Sequence, residues 1–315
     1  MEPKELGTHR ALTFLSPKNR NFTCRRVGGQ LPGESLRKLH INDVLEQYEE
    51  FLRVDLQLKK LTIKGHILRA RKFLEFFDKD LGALTVQDIR EYLSTINGLN
   101  ASTYSNVVKS LRRLIRDFLR KPELMKTFKL PYIEFKPKVI PSKEQINQGY
   151  QSLRTDKQRL IYLLYAVTGL RKDELRNLGL SNINLESRSI QPNHNSTTKH
   201  SFCTFWNPEV DVLLKKYLDG HRNEITGNGG KLFCFSDSSI NRITKLIETK
   251  VGIHISPQVL RKWFCSEMLS KGVQEVYVDA FCGRVPRSVL ARHYTDFSPE
   301  RLKEIYDKAG LNVFT

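Results

Sequence analysis

The sequence predicts a mainly α protein with a small β-sheet, built as two domains joined by a basic linker. Three observations carry this. Apolar residues recur at three-and-four spacing over most of the chain. Residues 129–142 break that rhythm with Pro131, Pro137 and Pro141. The second half also holds two short runs with strand patterning, Ile183 to Ile190 and Phe202 to Trp206, around a polar turn. At 315 residues a single core would exceed the usual limit of roughly 250–300 residues. The expected division is a basic arm over 1–40, a helical domain over 41–128, a linker over 129–142 and a second domain over 143–315.

The arm carries eight basic and three acidic residues among scattered Gly and Pro, a composition that suits a flexible segment touching a polyanion or a plain solvated tail. From Ile41 the pattern turns helical. Val44, Leu45, Tyr48, Phe51 and Leu52 form one apolar stripe, and Ile67, Leu68, Ala70, Phe73, Leu74 and Phe77 form a second. Thr85 can cap a third helix, since Asp88 follows three residues later, with Ile89, Tyr92 and Leu93 as its apolar face. A fourth helix begins after Asn100 and turns Val108, Leu111, Leu114, Ile115, Phe118 and Leu119 inward.

The opposite side of that fourth helix carries Lys109, Arg112, Arg113, Arg116 and Arg120. A solvated helix gains by mixing signs, so a one-sign face suggests a phosphate track, with a merely exposed face as the alternative. The linker continues the charge through Lys129, Lys136 and Lys138, and its prolines favour an extended tether.

In the second domain Leu160 to Val167 read as a buried helix ahead of the two strands. Helical patterns return at Asp211 to Tyr217, Ile240 to Thr249, Gln258 to Ser270, Val273 to Phe281 and Arg287 to Ala291. Leu302, Ile305, Tyr306 and Leu311 give the C-terminus a last amphipathic helix, which could pack at home or dock on a neighbouring copy.

The 52 Lys plus Arg against 34 Asp plus Glu leave a formal charge of +18. Such a field attracts phosphodiester polyanions or anionic lipid surfaces, and nucleic acid is the stronger reading. No apolar run approaches the roughly 18–20 residues of a membrane span and the N-terminus lacks a signal-peptide apolar stretch, so a cytoplasmic protein without a membrane partner is expected. The five cysteines are odd in number and unpaired by spacing, which predicts reduced thiols. His194, His200 and His221 lack metal-ligand spacing. Gly230-Lys231 lacks the first Gly and the Ser or Thr of a phosphate-binding loop. Neither a metal nor a nucleotide cofactor is expected.

Three segments carry candidate chemistry. Thr168-Gly169-Leu170-Arg171-Lys172-Asp173-Glu174-Leu175 sets Arg171 and Glu174 at ion-pair spacing on one helical face. Arg261 lies near a helix start beside Trp263 and Phe264, large apolar anchors. Gly283-Arg284-Val285-Pro286-Arg287 is followed by Arg292-His293-Tyr294-Thr295. Taken alone, the Arg171–Glu174 pair is more often a surface ion pair than a site, and Arg261 alone is a weak signal; the third segment changes the balance.

Taken in order, over roughly residues 41 to 310, these segments resemble the tyrosine recombinases, or phage integrase family. The resemblance implies a helical core-binding (SAM-like) domain followed by a catalytic domain whose signature runs Arg, a β-hairpin Lys, His-x-x-Arg, His or Trp, then Tyr. Arg171 matches the first arginine and Glu174 its acidic support. Lys199, in Thr197-Thr198-Lys199-His200, matches the lysine; Arg261 matches the second arginine and Tyr294 the nucleophile. Two positions depart from the common pattern: Gln258 stands where the first histidine is usual, and Arg284 where His or Trp is usual. The Gly-Arg start and His-Tyr end of the last segment are similar to integrases of archaeal fuselloviruses and related plasmids.

The implied activity is site-specific DNA recombination without ATP, by strand cleavage through a 3′-phosphotyrosine and religation, on a double-stranded recombination site. The resemblance also implies a homotetramer on two duplexes. A phenol, with a reference pKa of about 10, must shed its proton as it attacks, and a lysine ammonium can protonate the leaving 5′ oxygen. Arg171, Arg261 and Arg284 would neutralise the phosphorane-like charge. Gln258 cannot serve as a base, because an amide takes up no proton near pH 7. Two other readings stay open: relaxation of DNA in the manner of a type IB topoisomerase, and a DNA-binding protein that has lost catalysis.

Overall fold

The computed structural model describes residues 33–77, 79–137, 139–192, 202–286 and 288–314. The arm up to residue 32, Lys138 and Lys199 fall outside them. The chain divides into two compact units between Lys136 and Pro137.

The first unit contains α1 (Gly33–Val54), α2 (Lys60–Phe76), α3 (Val86–Thr95) and α4 (Ala101–Leu111), the last running on as a π-helical turn over Arg112–Phe118. Helix α1 thus starts within the stretch assigned to the arm. The apolar stripes meet in one core, where Tyr48, Leu52, Phe73, Ile89, Val108, Leu111, Leu114 and Ile115 are all but inaccessible to solvent. Within α2 the stripe is carried by Ile63 in place of Leu68, which is exposed. Two turns before Ala70, Ile63 shares the face of Phe73 and Leu74, whereas Leu68 lies off it.

Thr85 and Asp88 form the expected capping box. The Asp88 carboxylate accepts from the Thr85 backbone N–H at 2.9 Å, and the Asp88 N–H donates to the Thr85 hydroxyl oxygen at 3.3 Å. The hydroxyl of Thr85 and the ammonium of Lys79 hold the Asp88 carboxyl down at about 2. A depressed folded-state pKa contributes stability that is complete above the unfolded value, about 3.9, and is lost as pH falls toward 2. Loss of the N-cap hydroxyl in Thr85→Ala is expected to cost about 1 kcal/mol at pH 7. Asp88→Asn should flatten the loss of stability between pH 4 and pH 2, both read from urea melts followed by helical circular dichroism.

The second unit contains α5 (Lys143–Gln151), α6 (Asp156–Thr168), α7 (Lys172–Arg176) and strands β1 (Ile183–Asn184), β2 (Ser189–Ile190) and β3 (Thr204–Phe205). After them come α8 (Pro208–Gly227), α9 (Asp237–Val251), α10 (Pro257–Ser270), α11 (Glu275–Phe281), α12 (Val289–His293) and α13 (Pro299–Ala309). Helix α6 is the axis. Every residue from Leu160 to Thr168 is buried, and the helix packs against α10 on one side and α8 on another, as an all-apolar helix must.

Buried polar groups around α6 are matched to backbone. The Tyr162 hydroxyl donates to Ile146 O at 2.9 Å, the Thr204 hydroxyl to Thr168 O at 2.7 Å and the Tyr306 hydroxyl to Val167 O at 2.8 Å. That last bond locks α13 to its own chain. Leu302, Leu311 and Val313 are buried with it. Glu209 accepts the backbone N–H groups of Val313 and Phe314 at 2.8 and 2.9 Å. Of the two placements open for the C-terminal helix, the structure adopts packing at home.

The sheet is antiparallel in the order β1-β2-β3, pairing Ile183 with Ile190 and Ile190 with Thr204. Residues 183 to 190, expected as one strand, are instead a tight hairpin. The Asn184 side chain accepts from the N–H groups of Glu186 and Ser187 at 2.9 and 3.1 Å, closing the turn. The expected turn that would carry Lys199 falls between β2 and β3, outside the described residues.

Candidate active site

Helix α6 ends at Gly169, where the backbone turns left-handed at φ +65° and where a Cβ would stand 2.6 Å from the Phe264 ring. Only glycine meets both demands. The turn redirects the chain so that Arg171 becomes the N-cap of α7 rather than a residue on its face. Glu174 therefore reaches back over the helix start, accepting the Arg171 backbone N–H at 2.7 Å through one oxygen and its guanidinium at 2.5 Å through the other. The sequence spacing is right and the geometry is tighter than a surface pair, since both side chains are largely shielded.

Arg261 sits one turn into α10 with its side chain 7% exposed. Trp263 and Phe264, both fully buried, fix the helix beneath it. Its guanidinium donates to Gly169 O and, at 2.6 Å, to Cys282 O. The Glu174 carboxylate lies 4.0 Å away on the other side. Arg171 in turn donates to Gly283 O at 3.1 Å. The carbonyls of one short turn at the end of α11 thus hold two arginines, and Arg284 is the next residue along.

Arg284 is half-exposed, and its guanidinium is paired with the Asp279 carboxylate. Its own N–H returns to Asp279 O at 2.9 Å. Three guanidinium groups and two carboxylates leave one net positive charge. A guanidinium has five N–H donors, and the bonds to carbonyls and carboxylates occupy only part of each fork. The remainder is suited to the non-bridging oxygens of a phosphodiester.

The structure thus brings together Arg171, Glu174, Arg261 and the turn of Arg284. Gln258 is exposed at the start of α10, one turn before Arg261. Tyr294 caps the end of α12 and stands out in solvent at 77% exposure, as do Val289 and Leu290 on the same helix. Asp279 escaped the sequence reading; an unpaired acid five residues before the arginine at an atypical position was the available signal. The carbonyls of Gly169, Cys282 and Gly283 escaped it too.

The cationic side of α4 and its π-helical extension is less uniform than the one-sign face expected from sequence. Asp117 pairs with Arg116 at 2.7 Å and with Arg113 at 3.4 Å, and Arg112 donates to Phe128 O at 2.5 Å. A carboxylate at the centre of the row offsets like-charge repulsion. Lys109, Arg116 and Arg120 are exposed. Lys136 is exposed beside Glu134 at 3.7 Å.

Residues 142–301, half of the chain, match the Phage integrase family. The chain belongs to that family. Arg171, Glu174, Lys199, Gln258, Arg261, Arg284 and Tyr294 all fall within the matched span. Among curated relatives, tyrosine recombinase XerA of Saccharolobus solfataricus is 26% identical over 258 residues, covering 79% of this chain and 86% of the relative. Tyrosine recombinase XerC of Staphylococcus carnosus is 24% identical over 298 residues, covering 84% and 96%. The fold of this integrase-family chain is also that of two solved DNA complexes. The Tn1549 transposon integrase with transposon right end DNA superposes at a TM-score of 0.59 and 16% identity, covering 85% of this chain and 99% of that one. The XerH recombinase bound to its difH substrate gives 0.58 and 18%, covering 86% and 88%.

Proposed function

We propose that this phage integrase family member performs site-specific DNA recombination, cutting each strand with Tyr294 and resealing it without ATP. The observation that carries the reading is the gathering of Arg171 and Arg261 around Glu174 and the Cys282–Gly283 carbonyls, with Arg284 on the same turn. Fixed donors aimed at one phosphate cost no reorganisation when charge builds in the transition state. In this reading Tyr294 displaces the 5′ oxygen, Lys199 protonates it, and the three arginines hold the non-bridging oxygens. Gln258 can donate a hydrogen bond to the phosphate and takes no proton.

The partner is a double-stranded recombination site, and the active assembly is a homotetramer holding two duplexes. The helical unit acts as the core-binding domain over 41–128 and the second as the catalytic domain over 143–315. Lys109, Arg112, Arg113, Arg116 and Arg120, with Lys136 and Lys138 in the linker, contact phosphates. The relatives named as tyrosine recombinases and the DNA complexes of similar fold support recombination over supercoil relaxation or an inert DNA-binding role. The test is a suicide substrate nicked beside the cleavage point. The wild-type protein is expected to accumulate a covalent protein–DNA adduct at low salt, and no adduct on any attachment-site candidate would favour the inert role.

Asp279 is assigned as a positioning residue that aims Arg284. Asp279→Asn should slow single-turnover cleavage by roughly tenfold, about 1.4 kcal/mol of transition-state stabilisation, with little change in DNA affinity. In an Arg284→Ala background the same change should add nothing, because the two effects run through one interaction. Additive losses would show that Asp279 acts elsewhere.

A further inference from the structure

Beneath the guanidinium cluster lie two thiols that the cleavage chemistry does not use. Cys265 is on α10 one turn beyond Arg261, on the same face, and Cys282 follows the end of α11. Their sulfur atoms are 3.4 Å apart. Cys282 is buried and Cys265 partly exposed. The Arg284 guanidinium lies 4.0 Å from the Cys265 sulfur, and a Cβ on Gly169 would come within 3.1 Å of the Cys282 sulfur. Both thiols therefore touch the parts that hold the arginines.

We propose that Cys265 and Cys282 form a thiol-modification site, closed to a disulfide by peroxide, whose closure disarms the arginine cluster. The electrostatics assign the order of events. The hydrogen bond from Cys282 pulls the Cys265 thiol down to about 7, helped by Arg284 and Arg261. The same bond together with burial pushes Cys282 well up. The thiolate is the nucleophilic form, so the lowered thiol, which belongs to the partly exposed residue of the two, is the one that reacts first.

The steps balance. The Cys265 thiolate attacks one oxygen of hydrogen peroxide, giving the sulfenic acid and hydroxide, which takes up a proton to become water. The Cys282 thiol then loses its proton, attacks the Cys265 sulfur and expels the hydroxyl as a second water. Two thiols lose two electrons, and peroxide gains them. Closing the gap from 3.4 Å to the roughly 2.05 Å of a disulfide draws Cys282 toward α10. The Cys282 carbonyl that receives Arg261 at 2.6 Å moves with it. A displacement of about 1 Å at such a site can cost on the order of 10²-fold in rate.

Formation of the bond can be read without reference to activity, and only its effect on cleavage rests on the recombinase reading. Full-length protein is treated with stoichiometric hydrogen peroxide, and its thiols are counted and its peptides mapped by mass spectrometry. The expected product is one intramolecular link between the Cys265 and Cys282 peptides, lost in Cys265→Ser and in Cys282→Ser. Cleavage of the nicked substrate should then fall roughly 10²-fold in the wild type and recover with dithiothreitol. Cys265→Ser, whatever its basal rate, should keep that rate through peroxide treatment. A link through Cys203 or Cys234, or sulfinic acid on Cys265 with no link, would overturn the site. A complete link with undiminished cleavage would overturn its control of the arginines. Reduced wild-type protein that forms no adduct would count against the recombinase reading, and the presence or absence of the linked peptide would still decide the thiol site.

Discussion

Tyr294→Phe is expected to abolish the covalent adduct on a nicked substrate while changing DNA affinity by no more than about twofold. The side chain is 77% exposed, and surface changes of this kind usually alter stability by less than about 0.5 kcal/mol. Any loss of cleavage therefore reports on the missing oxygen and not on the fold. The assay is a gel that separates protein-linked DNA from free DNA, with binding measured on the uncleaved duplex. Undiminished adduct in the variant would transfer the nucleophile to another of the eleven tyrosines, several of which, such as Tyr162 and Tyr306, are buried with raised pKa values.

The second large effect is expected at Arg261. A lysine there keeps the charge and loses the planar fork that spans Gly169 O and Cys282 O, since an ammonium is a point donor on a flexible stem. Arg261→Lys should lower single-turnover cleavage on the order of 10³–10⁵-fold, the range of arginines that stabilise phosphoryl transfer. It should also cost roughly 1–3 kcal/mol of stability by leaving a buried carbonyl unmatched. Arg261→Ala should cost more, roughly 2–5 kcal/mol, because the Gly169 and Cys282 carbonyls both lose their donor and a void opens in place of the long side chain. Cleavage by the lysine variant within tenfold of wild type would mean that the fork only braces the turn and does not touch the phosphate.

The helical framework was legible because apolar spacing and capping residues act locally. Thr85 and Asp88 form the box their spacing predicts, and α6 is as buried as its composition implies. The hairpin at residues 183 to 190 was missed because one side chain, Asn184, decides it, and a run of Ile, Asn and Leu around it reads equally well as a single strand. The order of Arg171, Glu174, Arg261, Arg284 and Tyr294 was readable as a family pattern. What braces those residues was not. Gly169, Cys282 and Gly283 act through backbone carbonyls, which any residue supplies, and Asp279 becomes informative only when α11 is seen to bring it under Arg284. Asp117 was visible in the sequence but sits inside a run of arginines whose spacing drew attention first.

Helix α12 contributes no buried side chain, yet the chain on either side of it is secured, by the Cys282–Gly283 turn before it and by α13 after it. A shift of the Tyr294 side chain therefore disturbs no packed core. If Tyr294 is the nucleophile proposed above, its position can change at little cost in stability while the arginines stay braced by carbonyls of their own chain, and holding a phosphate and attacking it become separately adjustable.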